Sequence, residues 1–226
     1  MCGRYSLVSR GKEIAEAFGL DDEPALEARY NVGPGQQVPV VRATEDGREL
    51  PLLQWGFHRS GTGGGMLINA RSETAAARPA FRDSVERRRC LVPATGFFEW
   101  RRQGTARAPF HLVVRDRPVF AMAGIWSWWP DERGKNVESM VILTTRPNEL
   151  VSQIHDRMPV ILAPELEARW IDPAPLREDT LAELTRPLPA ELMTKIPVST
   201  RVNSVAHDDP EVLAPVEEPP EQLGLF

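Results

Sequence analysis

Cys2 directly follows Met1. Cysteine is small enough for the initiator methionine to be removed ahead of it. Removal would place an α-amine and a thiol on one residue, with ordinary pKa values near 8 and about 8.5, so both keep a usable nucleophilic fraction at neutral pH. Such an aminothiol captures an aldehyde in two steps. The amine adds and loses water to give a Schiff base, and the thiol then closes a thiazolidine ring; capture of carbonyls by amines is common covalent catalysis. Glu99, in ATGFFEWRR, alternates with Phe98 and Trp100, so in a strand it faces away from both. A carboxylate in an aromatic pocket has a raised pKa, which suits it to acid/base work. His155, in IHDRMPVIL, stands beside Asp156 where a short helix should meet a strand, a place for a proton shuttle. Asn69 and Arg71, in INARSET, lie two apart and share a strand face, where an amide and a guanidinium can hold a sugar oxygen and a phosphate.

Taken singly, each of these residues has a plainer reading. Cys2 merely follows Met1, Glu99 pairs with Arg101 or Arg102 in solvent, His155 is structural, and Asn69 is a loop residue beside a surface arginine. Other chemistries find less support. Cys2, Cys90, His58, His111, His155 and His207 show no C-x2-C or H-x3-H spacing, so no metal and no other cofactor is expected. No P-loop, G-x-G-x-x-G or G-x-S-x-G is present.

The elements that must position these residues read as α+β. A helix capped by Ser9 should run to Phe18, with Gly19 as its stop. Gln37 to Val41 and Leu50 to Phe57 flank an EDG turn. Cys90 to Val92, Gly96 to Arg101, Phe110 to Val114, Val119 to Trp126 and Ser139 to Thr145 are apolar or alternating runs that predict a largely antiparallel sheet or barrel. Helical patches over Ser72 to Arg89 break at Pro79. Asn148 caps a short helix ending near His155, Pro159 to Leu162 is a strand, and Pro164 to Trp170 and Leu176 to Leu184 are helical. The expected organisation is one domain over residues 1–207 and a disordered acidic, proline-rich tail over 208–226, with peripheral helices and no βαβ alternation.

The 226 residues are 42% hydrophobic and 26% charged, which excludes wholesale disorder. No apolar run is long enough for a membrane helix and no signal peptide opens the chain, so a cytoplasmic protein is expected. Two cysteines cannot build a disulfide framework. Net charge is −5, yet residues 206–226 hold six acids and no Lys or Arg, so the body without them is −5 + 6 = +1. Within Arg78 to Arg117 ten arginines face four acids. A basic face on a near-neutral body is compatible with phosphate binding, and equally with solvated arginines.

Together, MCGRY, RYNVGP, WGF, INARSET, RCLVPATGFFEW, ILTT and IHDRMPVIL resemble, in order, the SOS-response-associated peptidase (SRAP) family, whose members shield abasic sites in single-stranded DNA. The resemblance runs from Cys2 to about His207. It implies self-removal of Met1 and a thiazolidine crosslink between Cys2 and the ring-opened abasic-site aldehyde, with lyase-like chemistry and a role in DNA repair. Glu99 matches the acid/base glutamate, His155 the catalytic histidine and Asn69 the asparagine beside the nucleophile. Arg4, Asn31, Pro34, Trp55, Arg71 and Arg157 match DNA-contacting positions. One departure is the stretch after Phe57, where His58, Arg59 and SGTGGG stand in place of base-stacking aromatics. The competing classes are an N-terminal-nucleophile amidohydrolase and a non-catalytic single-stranded DNA-binding module. A monomer that binds single-stranded DNA is expected. The last five residues add a partner: Gln222, Leu223, Gly224, Leu225 and Phe226 resemble the motif by which bacterial replication and repair proteins dock on the sliding clamp, the plainer reading being that Leu223, Leu225 and Phe226 fold back onto the body as a plug.

Overall fold

The computed structural model describes residues 2–58, 65–130 and 133–218. The strands, in chain order, begin with β1 (Tyr5–Leu7), β2 (Arg29–Val32), β3 (Gln37–Pro39), β4 (Arg42–Thr44), β5 (Gly47–Glu49) and β6 (Leu52–Trp55). They continue with β7 (Phe57–His58), β8 (Met66–Leu67), β9 (Asn69–Arg71), β10 (Arg89–Ala94), β11 (Gly96–Gln103) and β12 (Ala106–Val114). The remainder are β13 (Phe120–Pro130), β14 (Asn136–Thr145), β15 (Met158–Pro159), β16 (Ile161–Leu162) and β17 (Met193–Pro197). Among the described residues six α-helices are interspersed: α1 (Gly11–Phe18), α2 (Ser72–Ala75), α3 (Arg82–Arg87), α4 (Glu149–Ser152), α5 (Pro164–Ile171) and α6 (Glu178–Leu184).

The α+β expectation holds, as two packed sheets. One runs β17-β12-β11-β1-β2; the other runs β10-β13-β14-β6-β3, with β9 and β15 on β14 and β16 on β13. Pairing is antiparallel except where β6 and β9 lie parallel to β14. Apolar side chains of both sheets, among them Tyr5, Phe97, Leu112, Met122 and Ile142, form one buried cluster. β10 is buried along its whole length yet sits at a sheet edge, the position at which a strand admits a proline such as Pro93.

Local chemistry explains the ends of the elements. Gly19 takes φ 60, a left-handed conformation that glycine adopts without strain, and ends α1 as expected. Arg10 rather than Ser9 occupies the cap, its amide donating to Glu13 at 3.0 Å. Asn148 caps α4 by accepting from the Val151 amide at 2.9 Å. Among the described residues no helix is long and apolar enough to cross a membrane.

The far C-terminus departs from expectation. Pro210–Leu213 forms a 3-10 turn and Val212 is fully buried, in a second cluster with Phe98, Val198 and Val202. Pro215 bridges to Val198, and Glu218 pairs with Arg101 at 2.8 Å. Residues 208–218 are thus a strap on the body rather than free tail, because two apolar residues, Val212 and Leu213, and a set of paired acids offset the polar composition. Gln222 to Phe226, and most of the glycine-rich loop, lie outside the described residues.

Candidate active site and nucleic-acid interface

β1 brings the start of the chain to Glu99. It threads between β2 and β11, with Tyr5 opposite Phe97, Ser6 opposite Gly96, and the Phe98 amide donating to the Arg4 carbonyl at 2.9 Å. Continuing that antiparallel register sets residue 3 against Glu99. Cys2 is fully buried, its thiol 4.0 Å from the Arg4 carbonyl. Burial, and secondarily the charge of Glu99, push the thiol pKa well above its ordinary value.

Glu99 is 2% exposed, so its expected orientation is met and pairing in solvent is not. Phe98 and Trp100 lie together in the second cluster, across the strand from it. Burial pushes its carboxyl up to about 7, where it can both give and take a proton near neutrality. His155 presents Nε2 to Glu99 Oε2 at 4.0 Å. The Arg157 amide donates to Nδ1 at 3.0 Å. An amide can only donate, so Nδ1 accepts in the neutral ring and the proton is assigned to Nε2, on the Glu99 side. Asp156 Oδ1, also 3.0 Å from Nδ1, is attractive only once the ring is protonated. Burial lowers the His155 pKa. Glu99, His155, Asp156 and the exposed Arg102 and Arg107 line an open cleft of about 710 Å³.

Asn69 and Arg71 sit in β9 against β14, opposite Ile142 and Thr144. The Asn69 amide nitrogen is 3.5 Å from the Ile142 carbonyl, and its Oδ1 is buried with no hydrogen-bond partner among the described residues. Arg71 is exposed and has no ion pair among them. Arg157 is committed: its two terminal nitrogens bond both oxygens of Glu73 at 2.7 and 2.8 Å, and one also bonds the Thr144 carbonyl at 2.6 Å.

Two of the expected DNA contacts are interior residues instead. Trp55 is fully buried, its indole N–H donating to the Ile68 carbonyl at 3.0 Å and its ring 5.4 Å from that of Tyr5. A side chain of that size gains most from the core. Asn31 is also fully buried. Its amide nitrogen serves the carbonyls of Val202, Ser204 and His207, and its Oδ1 accepts from Arg4 at 2.8 Å. Arg4 also bonds the Val202 carbonyl at 2.7 Å and remains half-buried. Pro34 is exposed. Among the described residues no three His, Cys, Asp or Glu side chains are grouped to hold a metal ion.

The description "SOS response associated peptidase (SRAP)" matches residues 1–205. The chain belongs to this family. Curated relatives span almost all of it. The abasic site processing protein YoqW of Bacillus subtilis is 35% identical over 94% of this chain and 99% of its own. The abasic site processing protein YedK of Escherichia coli is 32% identical over 96% and 100%. The abasic site processing protein HMCES of Gallus gallus is 31% identical over 96% of this chain and 78% of its own. A solved protein structure from Bacteroides thetaiotaomicron superposes with a TM-score of 0.83 at 28% identity, covering 95% of this chain and all of that one.

Around the candidate site of this SRAP chain stand residues that the motifs did not single out. Glu73 holds Arg157, and Thr144 supplies it a carbonyl while its own hydroxyl lies 3.4 Å from the Ala70 carbonyl. The Tyr5 hydroxyl is buried without a partner among the described residues, close enough to Cys2 for the two charges to interact. Tyr5 and Glu73 lie inside MCGRY and INARSET, so the signal was present in the words without any indication of which letter mattered.

Proposed function

We propose that this SRAP protein processes abasic sites in single-stranded DNA by crosslinking them to Cys2. The observation carrying the reading is Glu99: a buried carboxyl poised near 7, beside the nucleophile's thiol and facing His155 across an open cleft.

After loss of Met1 the Cys2 amine attacks C1′ of the ring-opened sugar aldehyde. A proton moves from nitrogen to the former carbonyl oxygen, giving a carbinolamine. Glu99, protonated, donates to the departing hydroxyl, so water leaves and a protonated imine forms. The thiol then adds to that carbon and its proton returns to the Glu99 carboxylate. Ring closure leaves the nitrogen as a neutral N–H, so the product is a neutral thiazolidine and Glu99 is again protonated. His155 Nε2 can relay protons between Glu99 and water in the cleft. Arg71 and Arg4 supply positive charge near the strand, while Arg157 acts on the site through Glu73.

The test is a denaturing gel of the purified protein with single strands with and without an abasic site. A shifted band with the abasic strand alone, lost in Cys2→Ala and in a form keeping Met1, is expected. A band that survives retention of Met1 overturns the aminothiol chemistry. Release of peptide or amide products without an adduct would favour the amidohydrolase, and equal binding to both strands with no covalent band a plain binding module. The terminal Gln222–Phe226 motif adds a partner to this reading, the bacterial sliding clamp, whose apolar pocket Leu223, Leu225 and Phe226 would fill while the linker supplies reach. A fluorescent tail peptide that fails to bind clamp at tens of micromolar removes that partner.

A further inference from the structure

We propose that the cleft between α2 and α6 carries the DNA strand onward from Cys2, with Arg146 and Arg186 binding its phosphates. The inference rests on the reading above, that the partner is single-stranded DNA.

The cleft has a volume of about 580 Å³ and is lined by Ser72, Glu73, Thr145, Arg146, Glu183 and Arg186, among others. It adjoins the crosslinking site through its own walls. Glu73 in the lining is the residue that grips Arg157, and Thr145 follows Thr144, whose carbonyl Arg157 also bonds. Arg71 immediately precedes α2.

Its charges do not cancel locally. Each of the three acids in the lining already has an arginine: Glu73 has Arg157 at 2.7 Å, Asp179 has Arg177 at 3.4 Å and Glu183 has Arg169 at 3.0 Å. Arg146 and Arg186 are exposed and have no acidic partner among the described residues. The two cations left over therefore belong to the solvent side of the cleft, where a polyanion can neutralise them and release counterions.

The lining also says which part of a nucleic acid is held. It contains no aromatic ring on which a base could stack, and Ala76, Ala77 and Ala182 contribute only small side chains to it. Hydroxyls and guanidinium groups can hold phosphate and sugar, and contacts of that kind carry no sequence information. The cleft with Glu99 and His155 has its own exposed pair, Arg102 and Arg107. The strand would thus enter past one arginine pair and leave past the other, with the lesion between them.

The experiment measures noncovalent affinity, on a Cys2→Ala background, for three sets of abasic single strands: short on both sides, extended only 5′ and extended only 3′. The parent protein should bind one extended set more tightly than the short one. In an Arg146→Ala, Arg186→Ala double variant that gain should vanish. The log–log salt slope for that set should fall by about 1.4, at roughly 0.7 per phosphate contact on a single strand. A double Arg→Lys variant should keep most of the slope, which separates charge from folding. An unchanged gain and slope overturns the inference. So does a parent protein that gains nothing from either extension, or an equal loss on all three sets, which would place the arginines at the lesion itself. Whether the Cys2-containing protein forms an abasic-specific adduct is read on the denaturing gel, independently of these slopes.

Discussion

His155 Nε2 and Glu99 Oε2 face each other at 4.0 Å, about one ångström beyond a direct hydrogen bond, at the wall of an open cleft. The gap suits a bridging water or the hydroxyl of an intermediate, which either group could then protonate. An acid that works at this point must be protonated and the attacking amine must be free, so with the carboxyl at about 7 and an ordinary amine at about 8 the rate of Schiff-base formation should level off between those values and fall at higher pH. Glu99→Gln should slow crosslinking by about 10²–10⁴-fold and abolish that fall at higher pH. Single-turnover rates across the pH range would show this, and a parental rate in Glu99→Gln would remove the residue from the mechanism.

The same substitution should stabilise the fold at alkaline pH. Glu99 titrates near 7 in the folded protein against an ordinary 4.5. Its raised pKa favours the folded state below 4.5, and that contribution is lost as pH rises through about 7, by at most about 3 kcal/mol. Glu99→Gln carries no such penalty. Its melting temperature should exceed that of the parent at pH 8 and approach it at pH 5. A variant that is less stable at pH 8 would argue that the carboxylate is held by more than burial.

His111 predicts the opposite slope. Its ring is buried beside Phe98, with Nε2 3.0 Å from Ser6 Oγ, and burial lowers its pKa to about 4 from 6.5. A depressed pKa of this kind contributes stability that is fully present above 6.5 and is lost as pH falls through about 4, again by at most about 3 kcal/mol. Between pH 7 and pH 4 the denaturant midpoint of the parent should fall relative to that of His111→Gln, since both share the opposing contribution of Glu99. Gly96→Ala should cost about 1–3 kcal/mol at any pH, because an added Cβ would lie 2.0 Å from the His111 ring.

The strap makes a prediction by truncation. Ending the chain after residue 207 removes the buried Val212, together with Asp208, which pairs with Arg29 at 2.5 Å and accepts from the Tyr30 and Asn31 amides. A loss of about 3–5 kcal/mol is expected. Deleting only Gln222–Phe226 should leave the melting temperature unchanged. If the two truncations melt alike, the strap contributes nothing to the body.

Arg71 and Arg157, matched alike by motif, should behave differently as alanine variants. Arg71 is exposed and has no ion pair among the described residues, so its loss should lower the salt slope for single strands by about 0.7 at unchanged stability. Loss of Arg157 leaves Glu73 and the Thr144 carbonyl without their shared partner, so stability should drop by about 1–3 kcal/mol. Equal salt slopes with equal melting in the two variants would contradict this division.

Much of the fold was legible because its signals are local. Gly19, Asn148 and the alternation around Glu99 each act within a few residues, and each lies where its chemistry demands. Long-range pairing was not legible. Nothing in INARSET states that β9 lies parallel to β14, and nothing in RYNVGP states that Asn31 gathers three carbonyls from beyond residue 200. The strap was misread for the same reason. Composition over 208–218 is acidic, but whether an acid is solvated or paired depends on arginines more than a hundred residues away. The motif words named the candidate residues; burial then separated them into those that meet solvent and those that hold others in place.

Burial of Cys2 also bears on what the protein ignores. A thiol held well above its ordinary pKa stays protonated, and protonated thiols are poor targets for peroxide and alkylating agents, which react with the thiolate. Under the proposed chemistry the sulfur need not be ionised beforehand, since the imine formed by its neighbouring amine supplies a strong electrophile within the same residue. The order of events is thereby fixed, nitrogen first and sulfur second. A reactive residue can remain chemically silent through long periods without damage and still close its ring once a lesion's aldehyde arrives.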